Sequence, residues 1–372
     1  MPQPATAPPA VAGRIVGQSP LQIWSLSSSE RLARQLRRAG ATATEAAAGR
    51  VVLLRADWVF DEPLVKGLAR QDQGCAMVNE AGECVALVLP PARADEGAAL
   101  LAQGQGPVDL PRRSGSEIAG SYNDQLRKRE PPFLLPLQAG NLPAIEARVF
   151  AGSYKGVTDF VTLYLWPRPA RAFTRVCARF GIAPNTVTTA SLILVLLAMW
   201  AFWQGQFAWG LVAAWGMTFL DTVDGKLARV TLNSSKFGDL YDHLIDLLHP
   251  PFWWWAWVVG LGAAGLALPE GSLALTVIVA GYILQRLEEG IFIARYKMDM
   301  HVWQRFDSKL RLVTARRNPN LAILTVSVIL GRPDIGIQVV AVWVAICLVL
   351  HAIRIVQAES ARRRGPLKSW LS

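Results

Sequence analysis

The sequence predicts an α/β domain followed by an all-α domain of six transmembrane helices, and three observations support this division. The 372-residue chain has a mean hydropathy of +0.27 and only 18% charged residues, whereas a soluble domain carries about 25%. Residues 1–159 hold 17 Lys or Arg against 16 Asp or Glu, and residues 160–372 hold 21 against 12. From Phe180 to Leu220 no residue is charged.

The excess of basic residues indicates a membrane protein rather than a nucleic-acid-binding one. A net charge of +10 would by default suggest nucleic acid as the partner. Here the basic residues flank apolar runs, as they do on the cytoplasmic side of membrane proteins. We therefore expect membrane lipids and no nucleic acid as partners. The four cysteines include no CxxC pair and match no zinc spacing, so we expect ordinary reduced thiols.

The first part of the chain predicts a tail and a soluble domain. Residues 1–20, rich in Ala and Pro, predict a disordered tail without the apolar segment of a signal peptide. Residues 21–150 predict one cytosolic α/β domain. Its expected elements are a helix capped at Ser27–Glu30 that ends at Gly40, and strands at Val51–Leu54 and Cys84–Leu89.

The order of these elements resembles the nucleotidyltransferase fold, in which a carboxylate after a central strand helps to bind a metal–nucleotide. Asp57 stands at the matching position. The Gly-rich phosphate loop followed by Arg, typical of active members, is missing from the sequence, and the segment from Gly13 to Gly17 is too short to replace it. We therefore expect a degenerate nucleotidyltransferase-like domain with Asp57 as a loop or capping carboxylate, a metal ligand being the alternative.

The second part of the chain predicts a join and six spans. Residues 151–182 form the join, in which Phe160–Phe180 has a basic and an apolar side. This pattern predicts a helix on the membrane surface, the alternative being a packing helix at a domain interface. Residues 183–358 predict the six-span domain, since about 20 apolar residues cross a bilayer. The expected spans are 184–203, 207–229, 236–262, 272–296, 318–331 (the shortest apolar core) and 335–353.

The flanks of the spans predict their orientation. Basic clusters at 168–179, 226–236, 295–317 and 354–368 fall on one side, whereas the opposite connections contain only Glu270, Arg332 and Asp334 as charged residues. Lys and Arg favour the cytoplasmic side. We therefore expect a multi-pass protein of a bacterial-type inner or cell membrane with both termini cytoplasmic, including a basic tail at 359–372.

Four aspartates occur at the cytoplasmic ends of the second and third expected spans. Asp221 and Asp224 are three residues apart, and Asp242 and Asp246 are four apart, so each pair shares one helix face. Because the two helices are consecutive and antiparallel, both pairs can meet at the same depth. Unpaired carboxylates at close range would repel each other, and one or two hard divalent cations, Mg²⁺ or Mn²⁺, would remove the conflict.

The residues around these aspartates complete a longer pattern. The run Asp221-Thr-Val-Asp224-Gly225-Lys-Leu-Ala228-Arg229 is followed after eight residues by Gly238, and then by Asp242 and Asp246. All eight positions of the CDP-alcohol phosphotransferase signature are filled at their spacings, and the chain resembles this family, also called CDP-alcohol phosphatidyltransferases. The resemblance implies a metal-dependent membrane enzyme with an active site at the cytoplasmic side. Such an enzyme moves a substituted phosphate group from a CDP-alcohol to a lipid or polyol-phosphate hydroxyl, with release of CMP.

The resemblance also implies roles for the signature residues. It assigns Asp221, Asp224 and Asp242 to metal binding, and Asp246 to a position near the metals as the catalytic base. The remaining four positions are nucleotide-binding candidates: Gly225, Ala228, Arg229 and Gly238. The small residues would leave room for the nucleoside or would allow a tight helix contact. Arg229 would pair with the diphosphate or act as a snorkelling anchor.

The acceptor site is less constrained by the sequence. Basic residues near the cytoplasmic ends of the fourth and fifth spans are candidates to bind an acceptor phosphate, and positive-inside anchoring explains them equally well. These candidates are Arg286, Arg311, Arg316 and Arg317.

The overall plan is similar to family members with a nucleotidyltransferase-like domain ahead of six spans. Those members include the fused enzymes that make and use CDP-inositol, the di-myo-inositol phosphate phosphate synthases. The resemblance implies a homodimer and makes inositol phosphate a possible acceptor. Two other classes remain open. An ion-coupled transporter would need carboxylates near mid-membrane and broken helices in repeated halves. A non-catalytic membrane anchor for the soluble domain would tolerate loss of any of the four acids.

Overall fold

The computed structural model describes residues 10–42, 48–123, 126–269 and 271–372, and the chain divides into two compact units. The first contains Met1–Tyr154 and Val230–Leu232, and the second contains Lys155–Arg229 and Asn233–Ser372. The first unit has α/β structure and the second is mostly helical, which confirms both fold classes at this level.

The first unit is built from short strands and five α-helices among its described residues. The strands are β1 Val11–Val16, β2 Gln22–Ile23, β3 Leu26–Ser27, β4 Arg50–Arg55, β5 Trp58–Phe60, β6 Cys75–Val78, β7 Cys84–Leu89, β8 Arg112–Arg113, β9 Tyr122–Asn123, β10 Lys128–Arg129 and β11 Leu134–Pro136. The helices are α1 Ser28–Arg38, α2 Glu62–Ala69, α3 Ala94–Ala102, α4 Gly115–Ala119 and α5 Leu142–Gly152.

Five of these strands form a mixed sheet in the order β1-β4-β7-β6-β8. Strand β1 runs parallel to β4, β7 runs antiparallel to both β4 and β6, and β8 runs parallel to β6. Alternate residues of β4 face opposite sides of the sheet. Val52 and Leu54 pack in the cluster that includes α1 and α2, whereas Val51 and Leu53 pack with Leu101 of α3. Strand β4 is therefore buried on both faces, which is why its sequence is a continuous apolar run.

The local signals predicted in this unit are present. Oγ of Ser27 accepts a hydrogen bond from the backbone N–H of Glu30 at 3.2 Å, so it caps α1. Gly40 follows the helix with a φ of +86°, a conformation that glycine adopts without strain. The structure places Asp57 in the turn after β4, where Nη2 of Arg55 lies 2.6 Å from its Oδ2.

The expected disordered tail is wrong for part of residues 1–20. Residues 1–9 lie outside the described part of the chain, but Val11–Val16 form the strand β1 at the edge of the sheet. Val11, Ile15 and Val16 supply β-branched side chains, which favour a strand. The expectation of a tail was based on the composition of residues 1–20 as a whole, in which the Ala- and Pro-rich start outweighs this short run.

The second unit contains eight α-helices among its described residues. They are α6 Pro167–Arg179, α7 Pro184–Trp203, α8 Phe207–Val230, α9 Lys236–Ala263, α10 Gly271–Tyr296, α11 Arg305–Leu310, α12 Arg317–Ile329 and α13 Pro333–Arg362. A helix occupies each of the six segments expected to span. Two of the described helices, α7 and α13, are long and apolar enough to cross a membrane by length and composition.

The join between the halves differs in detail from the expected single helix at Phe160–Phe180. Val161–Leu165 form a π-helical turn, and α6 begins only at Pro167. Proline lacks a backbone N–H and is tolerated in the first turn of a helix but not in its interior. Pro167 therefore starts a new helix. Phe173 and Val176 on α6 are exposed, and the location of this helix on a membrane surface stays a prediction.

Tryptophans hold the second unit together. Trp253 and Trp257 of α9 are fully buried. The Nε1–H of Trp253 donates to the carbonyl oxygen of Val195 on α7 at 3.0 Å, and that of Trp257 donates to the carbonyl oxygen of Pro333 on α13 at 3.1 Å. Each indole thus fills the core and also satisfies its one polar atom.

Candidate active site

The ends of α8 and α9 bring three of the four signature aspartates together. Asp221 lies on α8, and Asp242 and Asp246 lie one helical turn apart on α9. One carboxylate oxygen from each of the three lies within 4.8 Å of the other two. The three acids are up to 25 positions apart in the sequence, from Asp221 to Asp246. The two helices therefore bring together side chains that are distant along the chain.

Asp224 is held differently from the other three. Its side chain is buried at 4% exposure. Oγ1 of Thr188 on α7 donates to its Oδ2 at 2.7 Å, and the backbone N–H of Gly225 donates to its Oδ1 at 2.5 Å. A third helix therefore fixes the orientation of this carboxylate, and no pattern in the sequence predicted that Thr188 would reach it.

A guanidinium group bridges two acids of the cluster. Nη2 of Arg317, the first residue of α12, lies 2.5 Å from Oδ2 of Asp221, and its Nη1 donates to Oδ1 of Asp246. This pairing offsets part of the repulsion among carboxylates that lie close together.

The cluster fits a divalent cation. Its donor set consists of carboxylate oxygens, which are the ligands that Mg²⁺ and Mn²⁺ prefer. Three of these oxygens are close enough to face one ion, and a cationic group already lies against two of the three carboxylates. The residues that would hold the ion are Asp221, Asp242 and Asp246, with Asp224 beside them.

The four nucleotide-binding candidates lie on the same helix ends. Nη1 of Arg229 donates to the carbonyl oxygen of Gly225 at 3.0 Å, and a Cβ added at Gly225 would lie 3.3 Å from that nitrogen. A Cβ at Gly238 would lie 2.5 Å from Oδ1 of Asn185, so a larger residue there would require the Asn185 side chain to move. Ala228 is half-buried on α8 between these residues.

The four acceptor candidates lie in three places in the structure. Arg317 lies on the aspartate cluster, whereas Arg286 and Arg316 both contact Glu289 of α10. Nη2 of Arg286 lies 3.4 Å from Oε1 of Glu289, and Nη2 of Arg316 donates to the same oxygen. Arg311 directly follows α11, and its charge acts on Asp159 and His301.

His301 completes the surroundings of Glu289. Its Nε2 lies 3.3 Å from Oε1 of Glu289. Burial lowers the pKa of His301, which favours the neutral ring. Two arginines and a histidine thus converge on one carboxylate. Sequence reasoning missed Glu289 and His301, although a carboxylate inside an apolar helix is itself a sign of function.

A second buried acid anchors the start of α12. Burial tends to raise the pKa of Asp159, but hydrogen bonds from Asn318 and Thr162 and the nearby charge of Arg311 lower it overall. Nδ2 of Asn318 donates to Oδ1 of Asp159 at 2.9 Å. Because Asn318 directly follows Arg317, this contact fixes the end of α12 that carries the bridging arginine.

Comparison with known proteins identifies the family of this unit. The family model of CDP-alcohol phosphatidyltransferases matches residues 181–351, the segment that contains all four aspartates. This part of the chain belongs to the CDP-alcohol phosphatidyltransferase family.

Three relatives illustrate the similarity. An archaetidylinositol phosphate synthase of Pyrococcus horikoshii is 40% identical over 82 residues, 22% of this chain and 43% of the relative. Phosphatidylinositol phosphate synthases of Mycobacteroides abscessus and Mycolicibacterium smegmatis are 30% identical over 118 residues and 29% identical over 137 residues. These matches cover 30% and 34% of this chain, and 52% and 61% of the relatives. The chain thus spans about half the length of the curated relatives that it matches.

Proposed function

We propose that the chain is a divalent-metal-dependent CDP-alcohol phosphotransferase that releases CMP. The observation that carries the proposal is the convergence of three signature aspartates within 4.8 Å in a segment that matches the family model. The donor in this proposal is a CDP-linked alcohol, and the acceptor carries a free hydroxyl.

The four aspartates share one role in the proposed reaction, and Asp246 has a second. Asp221, Asp224, Asp242 and Asp246 would hold one or two Mg²⁺ or Mn²⁺ ions. When bound, such ions neutralise charge on the transferring phosphoryl group and the leaving phosphate. Asp246 also acts as the base. Its side chain is 39% exposed, against 19% for Asp221, so an acceptor hydroxyl reaches it more readily.

In this reaction one bond to phosphorus forms and one breaks. The acceptor oxygen forms a bond to the β-phosphorus of the donor, and the bond from that phosphorus to the CMP oxygen breaks. The hydroxyl proton moves to Asp246. Gly225, Ala228 and Gly238 leave space for the nucleoside beside the helix backbones, and Arg229 pairs with the diphosphate.

A polyol phosphate is the acceptor class that we propose. Arg286, Arg316 and His301 meet at Glu289, and such a group of donors suits a phosphate dianion. The positive charge of Arg311 acts on His301 as well. The three relatives are inositol phosphate lipid synthases by name, which favours inositol phosphate for the acceptor and a lipid for the donor alcohol.

We also propose a membrane topology and an oligomeric state for the protein, and a class for its first unit. The helices α7, α8, α9, α10 and α13 and the shorter α12 cross the cell membrane with the aspartates on the cytoplasmic side, and the protein is a homodimer. The first unit is a degenerate nucleotidyltransferase-like domain. Two observations support this interpretation: residues 13–16 belong to strand β1 rather than to a loop, and Asp57 is paired with Arg55.

A donor and acceptor screen tests the function. Purified protein with Mg²⁺ or Mn²⁺ is offered CDP-diacylglycerol or CDP-inositol, each with inositol phosphate, glycerol phosphate or inositol, and CMP is measured. We expect CMP release from at least one pair, its loss in EDTA, and its loss in Asp242→Asn. CMP release that persists in EDTA and in Asp242→Asn, or no release from any pair, would contradict the proposal.

A further inference from the structure

Arg317 occupies an unusual position for a residue of the α12 terminus. Its guanidinium lies between α8 and α9, with Nη2 2.5 Å from Oδ2 of Asp221 and Nη1 donating to Oδ1 of Asp246. Its side chain is only 16% exposed. One planar cation thus joins two carboxylates that come from different helices.

The same two carboxylates are the ones that a metal ion would need. Asp221 and Asp246 belong to the group of three acids whose oxygens lie within 4.8 Å of one another. A guanidinium offers only N–H donors and holds the carboxylate oxygens by hydrogen bonds. A divalent cation needs those oxygens as direct ligands. Arg317 and the cation therefore draw on the same two carboxylates.

We propose that Arg317 is a resident counter-ion of the aspartate cluster, which must release Asp221 and Asp246 before a divalent cation can bind. Arg317 then sets the affinity for metal by stabilising the metal-free site. This inference rests on the proposed function only in its assumption that the cluster binds a divalent cation.

The proposal and a purely structural role of Arg317 predict opposite changes in metal affinity when Arg317 is removed. If Arg317 only shaped the site, its removal would distort the ligands and weaken metal binding. If Arg317 is a counter-ion, its removal leaves the carboxylates unpaired in the metal-free protein. Metal binding then relieves more repulsion, and the affinity for metal increases.

Titration of Mn²⁺ into the metal-stripped full-length protein in detergent tests the proposal. Free Mn²⁺ is followed by electron paramagnetic resonance for wild type and for Arg317→Gln. We expect at least about tenfold tighter binding in Arg317→Gln, because a guanidinium no longer competes for the ligand oxygens. Arg317→Lys, which keeps the charge but not the two-pronged geometry, is expected to lie between the two.

Three controls separate the possible outcomes. Arg332→Gln removes an arginine that pairs with Asp334 at the start of α13, and it should leave Mn²⁺ binding unchanged. Asp242→Asn should lose Mn²⁺ binding if the cluster is the metal site. Without metal, Arg317→Gln should have a lower Tm than wild type, and saturating Mn²⁺ should close that gap.

Two results would overturn the inference in distinguishable ways. Equal or weaker Mn²⁺ binding in both Arg317→Gln and Arg317→Lys, with Asp242→Asn still losing it, would remove the counter-ion role and leave the metal site intact. Failure of every variant, wild type included, to bind Mn²⁺ saturably would overturn the metal site itself, and the inference with it.

Discussion

Two neighbouring threonines on α7 differ in what their hydroxyl groups contact. Oγ1 of Thr188 donates to Asp224 at 2.7 Å, whereas Oγ1 of the exposed Thr189 bonds the carbonyl oxygen of Asn185 at 2.9 Å. Partners that orient a metal ligand typically affect metal affinity or activity by about 10- to 100-fold. We therefore expect Thr188→Val to raise the Mn²⁺ concentration needed for half-maximal CMP release by about tenfold. Thr189→Val is the matched control and should leave it unchanged. An equal effect of both variants would mean that Thr188 does not act through Asp224.

Asp61 in the first unit makes a separate prediction about pH. Burial raises the pKa of Asp61 from 3.8 to about 6, against the opposing charges of Lys128 and Arg148. The folded unit therefore favours the protonated form. Below about pH 4 this carboxyl group does not lower the free energy of unfolding. The loss of free energy grows between about pH 4 and pH 6 and is largest above about pH 6.

Asp61→Asn should therefore stabilise the first unit by about 1–3 kcal/mol at neutral pH, because asparagine keeps the N-cap acceptor of α2 and carries no charge. The buried thiols of Cys75 and Cys84 on β6 and β7 report opening of the sheet. Their labelling, located by mass spectrometry, should be slower in Asp61→Asn than in wild type at neutral pH and equal at about pH 4. Faster labelling of the variant at neutral pH would contradict the direction of the pKa shift.

The residues of the candidate site were predictable to different degrees. The spacing of Asp221, Asp224, Asp242 and Asp246 predicts that helix faces bring acids together, because the periodicity of a helix is fixed. The pairing of Asp221 with Arg317 joins residues 96 positions apart. No local rule specifies such a pair, since it depends on where α12 begins relative to α8 and α9.

The helices illustrate the same contrast at the level of elements. Pro184 in the first turn of α7, and Gly205 with a φ of +72° after it, are local signals that delimited this helix from sequence. The mixed order of the central sheet was not predictable, because strand pairing depends on long-range contacts. Pro167 is a local signal for the start of a new helix. The amphipathic pattern on both sides of it nevertheless predicted one continuous helix.

Two glycines of α9 provide a matched test of helix packing. A Cβ added at Gly260 would overlap the carbonyl oxygen of Phe202 on α7, whereas one added at Gly262 would meet nothing within 4 Å. We expect Gly260→Ala to lower the Tm in detergent by about 5 °C or more, because overpacking forces the backbones apart. Gly262→Ala should leave the Tm unchanged or slightly higher, since alanine favours helix. A Gly260→Ala protein as stable as wild type would show that α7 and α9 are not packed this closely.

The proposed orientation of the whole molecule is testable with single cysteines. Gln206 lies in the exposed connection between α7 and α8, and Asn233 lies in the exposed connection between α8 and α9. If α8 crosses the membrane with its basic end inside, these two positions lie on opposite sides. Gln206→Cys should react with a membrane-impermeant maleimide on intact cells, and Asn233→Cys should react only after permeabilisation. The reverse pattern, or equal labelling, would contradict the topology.

Comparison of Asp246 with Asp239 tests the central claim most directly. Both lie on α9, but Asp246 belongs to the carboxylate group and Asp239 is an exposed residue outside the signature. The measurement is CMP release from a CDP-alcohol donor with Mn²⁺ present. Asp246→Asn should lower the rate by about 100-fold or more, as expected for loss of a general base, while Asp239→Asn keeps the wild-type rate. Wild-type CMP release by Asp246→Asn would contradict the assignment of a catalytic centre to these four aspartates.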